Sequence, residues 1–446
     1  MKTSIKFINH ASVKISDGNI SVLSDPWYEG DVFNRGWSLL HKTNRQDINK
    51  LLNEISHIWI SHEHPDHFSI PFFKTYANKI KNNSIKILFQ KTKDKRVYNF
   101  LVSLGLNVEE LVFNKSKYLS KDFSITCFKD GFFDSGLLIE SHSEKILNLN
   151  DCNINSINKA EELFRRTGKI DVLLTQFSFA AWKGGKKNKK WRIESALEKI
   201  NNITIQIEKF KPKYVIPFAS FFYFSHSTNF YLNQSTNKLK DVKKKLRKYN
   251  SKIVIMSPND ILGGKQQNLD EFRALKFWAK KYELIKLKKL NKYNKISLKM
   301  LHSNFKSYHN RIKKNNNLIL IKIIRKLSPI KFFKPTIIKI EDLAMIVKID
   351  YVNATFVETN ESPMISMQSE SINYIFLNSF GFDTLTVNGC FEEVKKGGFI
   401  EATKSLAIEN LNNLGFKIEL KTLFNFSLIK LFFSHLNKVS NKLNIS

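Results

Sequence analysis

The densest chemistry in this chain is a run of six residues, His62-Glu63-His64-Pro65-Asp66-His67, which gathers three imidazoles and two carboxylates. Imidazole nitrogens are borderline ligands that suit zinc or iron, and a carboxylate adds a hard oxygen, so one such loop can serve two neighbouring metal positions. His62 and His64, two residues apart, can converge on one ion while Asp66 and His67 face a second. The cofactor this implies is one or two transition-metal ions, zinc or iron. The expected reaction is hydrolysis, because such an ion lowers the pKa of a bound water toward ~7 and presents it as hydroxide to an electrophilic carbon or phosphorus. Asp66 would be a catalytic carboxylate that orients this water.

The loop has to be carried by regular elements. Residues 3–24 alternate apolar and polar side chains through Ile5, Phe7, Val13 and Ile15, turn at Asp17-Gly18 and resume at Ile20 and Val22, which predicts a β-hairpin. A helix over about 46–55 and a strand His57–Ile60 lead into the histidine loop, and Ser69 can cap the helix carrying Phe72, Phe73 and Tyr76. Further strands are expected at 85–89, 123–128, 137–139, 146–149, 172–174, 214–216 and 253–256, with a helix at 194–210 stopped by Pro212. The polar signals fall at strand ends, where loops of layered folds are free to carry them.

At 446 residues the chain exceeds one ordinary core, and roughly 100–200 residues per domain points to at least two. The polar interruption Gly263-Gly264-Lys265 suggests a metal-binding domain over 1–264 and a C-terminal α+β domain over 265–446 that opens with a lysine-rich helical stretch. In that second part, 345–357 and 384–387 read as strands, 398–414 as a helix, and the apolar stretch from Leu423 to Phe433 as packed on the body, with a membrane or a partner as the alternative surface for it. Its most ligand-like feature, Glu341-Asp342, has no histidine beside it. Apolar residues at 42% with 16 Gly and 9 Pro describe a folded globular protein. The formal charge of +32 comes from lysines spread over the whole chain without a nucleic-acid motif, so no nucleic-acid partner is expected. Three scattered cysteines suit a reducing compartment. With no signal peptide and no run of the ~18–20 apolar residues that span a bilayer, the expected setting is cytoplasmic, without a transmembrane segment.

The loop resembles the His-x-His-x-Asp-His signature of the metallo-β-lactamase superfamily, which implies an αββα sandwich. Asn9-His10-Ala11-Ser12, Asp25-Pro26-Trp27, the stretch from Asn34 to His41, Lys145 to Cys152, Pro217-Phe218-Ala219 and, faintly, Asp383-Thr384-Leu385 are similar to the lactamase-like region of the CMP-N-acetylneuraminate monooxygenase family. The superfamily resemblance makes Asp151 the metal-bridging aspartate and, beside Asp66, the other candidate for the catalytic carboxylate that orients the water. Two histidines common in the superfamily are missing: the matching stretches hold Asp130 and Asp134 in one case and Pro217-Phe218-Ala219, with His226 nearby, in the other. The implied metal set is therefore His62, His64, Asp66, His67, Asp151 and His226, with His10, Arg35 and Trp37 touching substrate. Arg35 suits an anionic group, and Trp27, Trp37 and Trp182 suit a ring. A Rieske cluster needs two Cys and two His per centre, and the chain has no Cys-x-His pair, so no Fe-S cluster is expected in it. Oxygenation of the family type would then need an electron-transfer partner in trans. Three readings stand: a metal-dependent hydrolase acting on a phosphorylated or nucleotide-linked sugar, an iron oxygenase component acting on a CMP-sialic-acid-type substrate, and a non-catalytic nucleotide-sugar-binding protein.

Overall fold

The computed structural model describes residues 1–327 and 332–419. The apolar stretch from Leu423 to Phe433 lies outside them.

Two seven-stranded sheets face each other. The first runs, in spatial order, Ile261–Leu262, Ser4–Asn9, Ser12–Ser16, Ser21–Ser24, His57–Ile60, Lys86–Gln90, Val108–Leu111. The second runs Lys252–Ile253, Tyr214–Phe218, Val172–Gln176, Glu144–Asn150, Asp134–Ser141, Phe123–Asp130, Ser116–Ser120. Strand periodicity sorts the side chains: Phe7, Trp59 and Leu88 join the core between the sheets with Ile125 and Leu137, whereas Ile8, Ile58, Ile60, Ile87 and Phe89 point outward. The outward face is covered by Ile48 and Leu51 of helix Arg45–Leu52 and by Phe72, Phe73 and Ile80 of helix Ile70–Asn82. On the other side, Ile200, Ile203 and Ile207 of helix Lys189–Phe210 and Ala160 of helix Ile157–Thr167 cover the second sheet. The αββα sandwich expected from the histidine loop is the architecture of residues up to about 262.

The tail is an α+β unit around a five-stranded sheet, Thr355–Glu358, Met345–Asp350, Thr336–Ile340, Ile365–Met367, Phe391–Glu393, with helices that include Leu298–Asn315, Ser369–Leu377 and Gly381–Asn388. It is joined to the sandwich by specific contacts. Trp182 packs in the tail's own core and donates its backbone N–H to Thr386 at 2.9 Å, Asn229 donates to the carbonyl of Asn388 at 2.7 Å, and Asn388 donates to that of Phe33 at 3.0 Å. Helix Glu271–Leu284 instead serves the first core, where Trp278 is buried with its ring stacked on Phe221 at 4.0 Å.

Several local expectations change. The N-terminal hairpin is a three-stranded meander, because the chain also reverses at His10-Ala11 between Ser4–Asn9 and Ser12–Ser16. The β-branched stretch 384–387 is helical: Gly389, at φ +68°, closes the helix, and Gly381 lets its start approach Ile375 so closely that a Cβ would lie 2.4 Å from that residue's Cα. The helix over 398–414 is two helices, Gly398–Leu406 and Ile408–Asn413, and the strand at 253–256 shortens to Lys252–Ile253. Glu341-Asp342 is structural, since Asp342 accepts from the backbone N–H of Ser369 at 2.7 Å and from its hydroxyl at 2.5 Å at the start of a helix. Among the described residues, no helix is long and apolar enough to cross a membrane.

Candidate metal centre

Six strand ends and turns converge at one end of the sandwich. The reversal after Ser4–Asn9 supplies His10, the end of Ser21–Ser24 supplies Asp25, and the loop after His57–Ile60 supplies His62, His64, Asp66 and His67. From the second sheet come Asp134 at the start of Asp134–Ser141, Asp151 after Glu144–Asn150, and Gln176 at the end of Val172–Gln176. Non-glycine residues rarely adopt positive φ, yet His10 (37°), Asp25 (37°), Asn150 (51°) and Ala219 (52°) do so around this one spot. Each such conformation costs ~1–3 kcal/mol and persists because surrounding contacts hold it. At His10 those contacts are the Asn9 side chain, accepting the His10 N–H at 2.9 Å, and the Ala219 N–H, donated to the His10 carbonyl at 2.9 Å.

The donors form three overlapping groups: His10, Asp66 and His67; His62, His64 and Asp134; and His62, His67 and Asp151, each with its ligand atoms within 4.8 Å of one another. In the first, Asp66 Oδ2 lies 3.4 Å from His10 Nε2 and 3.3 Å from His67 Nε2. In the second, His62 Nε2 lies 2.9 Å from His64 Nδ1 and 3.7 Å from Asp134 Oδ1. Asp151 Oδ1 sits 3.6 Å from His67 Nε2, between the two groups, and accepts from Gln176 at 2.8 Å. His10, Asp66 and His67 are fully buried, whereas His64, Asp134 and Asp151 keep partial exposure, so the pair of half-sites has a closed side and an open side.

The buried carboxylate of Asp25 sets the tautomers. Its Oδ2 accepts from His67 Nδ1 at 3.0 Å and from Ser61 Oγ at 2.8 Å, its Oδ1 accepts from the Ser61 N–H at 2.8 Å, and Asn150 donates to it as well. A proton on His67 Nδ1 leaves Nε2 as the ligand nitrogen. Because Ser61 Oγ donates to Asp25, it accepts from His62 Nδ1 at 2.9 Å and frees His62 Nε2 in the same way. The residues fit a metal: His10 Nε2, His67 Nε2 and Asp66 Oδ1 are buried polar atoms with no hydrogen-bond partner, and such orphans are rare unless another species completes them. Burial holds the His62 imidazole well below its usual pKa, with the neighbouring rings of His67 and His64 adding to this, so it is neutral as a ligand must be. For His67 burial works the same way, but the carboxylates of Asp66, Asp151 and Asp25 outweigh it and hold the ring well above its usual value in the metal-free chain. Burial also pushes Asp134 up to about 6.

The other named residues lie elsewhere. His226 is outside the cluster, its Nδ1 2.9 Å from Thr228 Oγ1 and its ring 3.9 Å from that of Tyr293. Arg35 pairs with Glu370 at 2.5 Å and holds the tail. Trp37 is buried and stacked on Phe222 at 3.8 Å, and Trp27 packs edge-on against His10 at 5.2 Å. Asp130 pairs with Lys159 at 3.1 Å, leaving Asp134 as the carboxylate of that stretch that faces the metal loop. Sequence reasoning missed the supporting roles of Ser61 and Gln176, and read Asp25 only as part of a resemblance. A polar residue directly after a strand, beside the ligand loop, was the available signal.

This is a metallo-β-lactamase fold. Within it, the chain is similar to cytidine monophosphate-N-acetylneuraminic acid hydroxylase: 27% identical over 250 residues to the Danio rerio protein, covering 52% of this chain and 41% of that one. The Macaca mulatta hydroxylase is 28% identical over 272 residues, covering 57% and 44%, and a human relative described as inactive is 27% identical over 272 residues, covering 57% and 52%. The match thus spans about half or less of each relative's own length. Among solved structures, a possible metal-dependent hydrolase from Veillonella parvula overlaps with a TM-score of 0.44 at 15% identity, covering 58% of this chain and 98% of that one. A mutant form of the β-hydroxylase CmlA overlaps at 0.43 and 14%, covering 59% and 54%. No family model matches the chain.

Proposed function

We propose that this chain is a dinuclear metal enzyme that hydroxylates a small anionic substrate of the nucleotide-linked sugar class. The observation that carries this reading is the donor set. His62, His64 and Asp134 on one side and His10, His67 and Asp66 on the other each offer two imidazoles and one carboxylate, with Asp151 reaching between them. Two histidines and a carboxylate with open positions are the set that non-haem Fe(II) oxygenases use. The substrate class comes from the hydroxylase relatives. When bound, a pair of iron ions would supply the redox chemistry of oxygen insertion.

The chain's own groups do the rest. Asp25 and Ser61 fix both ring tautomers, burial of His10, Asp66 and His67 keeps bulk water from the closed side, and substrate reaches the centre past the half-exposed His64, Asp134 and Asp151. Burial would raise the Asp66 carboxyl, but His67 and His10 outweigh it and hold it well below the usual carboxylate range. Asp66 thus stays ionised, and its unpaired, buried Oδ1 can accept from a water and orient it beside the reacting atoms. Electrons come from a separate donor protein, in a cytoplasmic setting suited to three buried free thiols. Residues 1–264, with helix Glu271–Leu284 packed on their core, form the metal-holding unit, and the described residues of 298–419 form the unit that covers it. Hydrolysis is the second reading, favoured by the same unpaired Asp66 oxygen, which could equally orient a water for attack if zinc supplied Lewis acidity instead.

Anaerobically purified protein, reconstituted with Fe(II) or Zn(II), separates the two when incubated with CMP-linked sugars, a chemical reductant and ¹⁸O₂. Label from ¹⁸O₂ in the sugar with iron alone supports hydroxylation. Free CMP released with zinc supports hydrolysis. Turnover with neither metal defeats both readings.

A further inference from the structure

Of the three imidazoles in the histidine loop, His64 is oriented differently from the other two. Ser61 holds His62 Nδ1 and Asp25 holds His67 Nδ1, whereas the His64 ring, whose Nδ1 faces His62, makes no other side-chain hydrogen bond among the described residues. A metal-bound histidine ordinarily has its second nitrogen held by a neighbouring acceptor. Here aromatic packing takes that place. The Phe33 ring meets His64 edge-on at 5.9 Å, and the Phe133 ring lies 6.4 Å from it.

Both aromatic residues are set by the tail. Phe33, Asn34 and Arg35 are left-handed in succession, at φ 52°, 51° and 58°, in a turn closed by the Gly36 N–H, which donates to the Phe33 carbonyl at 3.0 Å. Three consecutive residues with a Cβ do not hold such a turn unaided, because each brings its Cβ close to the following carbonyl oxygen. Side chains grip the carbonyls one after another. Asn388 donates to that of Phe33 at 3.0 Å, the Tyr293 hydroxyl to that of Asn34 at 3.0 Å, Asn291 to that of Arg35 at 2.9 Å and Asn229 to that of Gly36 at 2.9 Å. Asn388 comes so near that a Cβ on Gly36 would lie 2.5 Å from the Asn388 Cβ. At the other end of helix Gly381–Asn388, the Phe380 ring lies 6.4 Å from that of Phe133. Arg96 secures this end, its guanidinium 4.5 Å over the Phe380 ring and 3.2 Å from Glu63 in the histidine loop.

We propose that the tail completes the open half of the metal centre: helix Gly381–Asn388 orients the His64 ring through Phe33 and Phe133. The ion held by His62, His64 and Asp134 then depends on the docked tail, and the ion held by His10, Asp66 and His67 does not. Phe33 and Phe133 are positioning residues, since neither offers a ligand atom. The strained turn is the part that transmits the effect, because it keeps its shape only while the tail grips it. The proposal rests on the dinuclear reading above and divides its two positions between the sandwich alone and the sandwich with its tail.

The full metal-free chain is reloaded with Zn(II), and competition against a chromophoric chelator resolves the two equivalents. Asn388→Ala and Phe33→Ala, which break the same link from either side, are each expected to weaken one equivalent at least tenfold and the other by less than twofold. In an Asp134→Ala background, which leaves the closed half-site, adding Asn388→Ala is expected to change the remaining affinity by less than twofold. Asp350→Asn removes a tail carboxylate that touches neither the helix nor the turn, and both equivalents should keep their affinity in it. Variants that hold both equivalents unchanged, that weaken the two alike, or that act equally in the Asp134→Ala background would overturn the proposal. An unmodified chain that binds a single equivalent overturns the dinuclear reading and this proposal with it; two equivalents untouched by either variant overturn the proposal alone.

Discussion

Replacing Asp25 with asparagine tests whether this buried carboxylate governs the metal centre without touching it. The oxygens of Asp25 accept from His67 Nδ1 at 3.0 Å, from Ser61 Oγ at 2.8 Å and from the Ser61 N–H at 2.8 Å, and also from Asn150. An amide has only one acceptor oxygen. If its NH₂ group occupies the Oδ2 position, it meets the His67 and Asn150 donors and drives the His67 proton onto Nε2, where a metal should bind. If the amide is turned over, its NH₂ group faces the Ser61 N–H. Either arrangement leaves one buried donor unmatched, at ~1–3 kcal/mol. Partners of this kind typically carry 10–100-fold in metal affinity, or about 1.4–2.7 kcal/mol.

The loss should be unequal. His67 belongs to the half-site with His10 and Asp66, whereas His62 feels Asp25 only through the Ser61 hydroxyl. Competition against a chromophoric chelator should therefore resolve one weakened equivalent and one nearly unchanged. Urea unfolding of both metal-free proteins separates a folding defect from a ligand defect. Asp25→Asn protein that is folded and binds metal with unaltered affinity at every site would refute the argument that Asp25 sets the tautomer of His67.

Asp134→Ala removes the carboxylate from the half-site of His62 and His64, and elemental analysis after dialysis should find retained metal falling toward a single equivalent; two full equivalents would exclude Asp134 as a ligand. Trp278→Ala should lower stability by ~3–5 kcal/mol, read as the urea midpoint, since the ring is buried, stacks on Phe221 at 4.0 Å and donates to the Met256 carbonyl at 2.8 Å. In the tail, burial would raise the Asp350 pKa, but Arg325, bonded to it at 2.7 and 2.8 Å, and Asn353 overcome this and hold it below the usual value. A carboxyl depressed in the folded state stabilises fully above its unfolded pKa of ~3.9 and loses that contribution as pH falls through the lower folded value. The stability gap between the unmodified chain and Asp350→Asn should thus be largest near neutrality and close below about pH 4; a gap that widens on acidification would contradict the pairing.

The parts of this protein that could be read from its sequence are those in which local pattern and tertiary contact agree. Alternation through Ile5, Phe7, Val13 and Ile15 placed the inner face of the N-terminal strands, and Ser69 caps its helix as expected by accepting from the Phe72 N–H. The histidine loop was legible because its donors are neighbours in sequence. His10 and Asp134 were reached only through the resemblance, His10 as a substrate contact and Asp134 as one of two carboxylates where a histidine is missing: each is one polar residue at the end of a different strand, brought in by sheet pairing, and composition carries no trace of that pairing. Helix Gly381–Asn388 was misread because Thr384, Thr386 and Val387 favour strands, while the close approach at Gly381 and the left-handed Gly389 decide otherwise. His226 follows a late strand, but its Nδ1 faces Thr228, its ring packs on Tyr293, and it joins none of the donor groups around the histidine loop.

The replacement of donors follows a physical logic. The strand Tyr214–Phe218 ends at Ala219, where a further histidine would be expected, and Ala219 has no side chain that could reach an ion. Its backbone does something else: in a left-handed conformation it donates to the carbonyl of His10, fixing the turn from which the His10 ring faces Asp66 at 3.4 Å. An imidazole supplied across the sheet edge can stand in for one supplied along the strand only if that turn is rigid, and this explains why positive φ values gather here. On the opposite side, Asp134 exchanges a nitrogen donor for an oxygen donor. Together the two changes keep the number of donors while giving both half-sites the same composition of two imidazoles and one carboxylate. Matched sites of two imidazoles and one carboxylate each are the donor composition on which the proposed reading of a redox-active pair of ions rests.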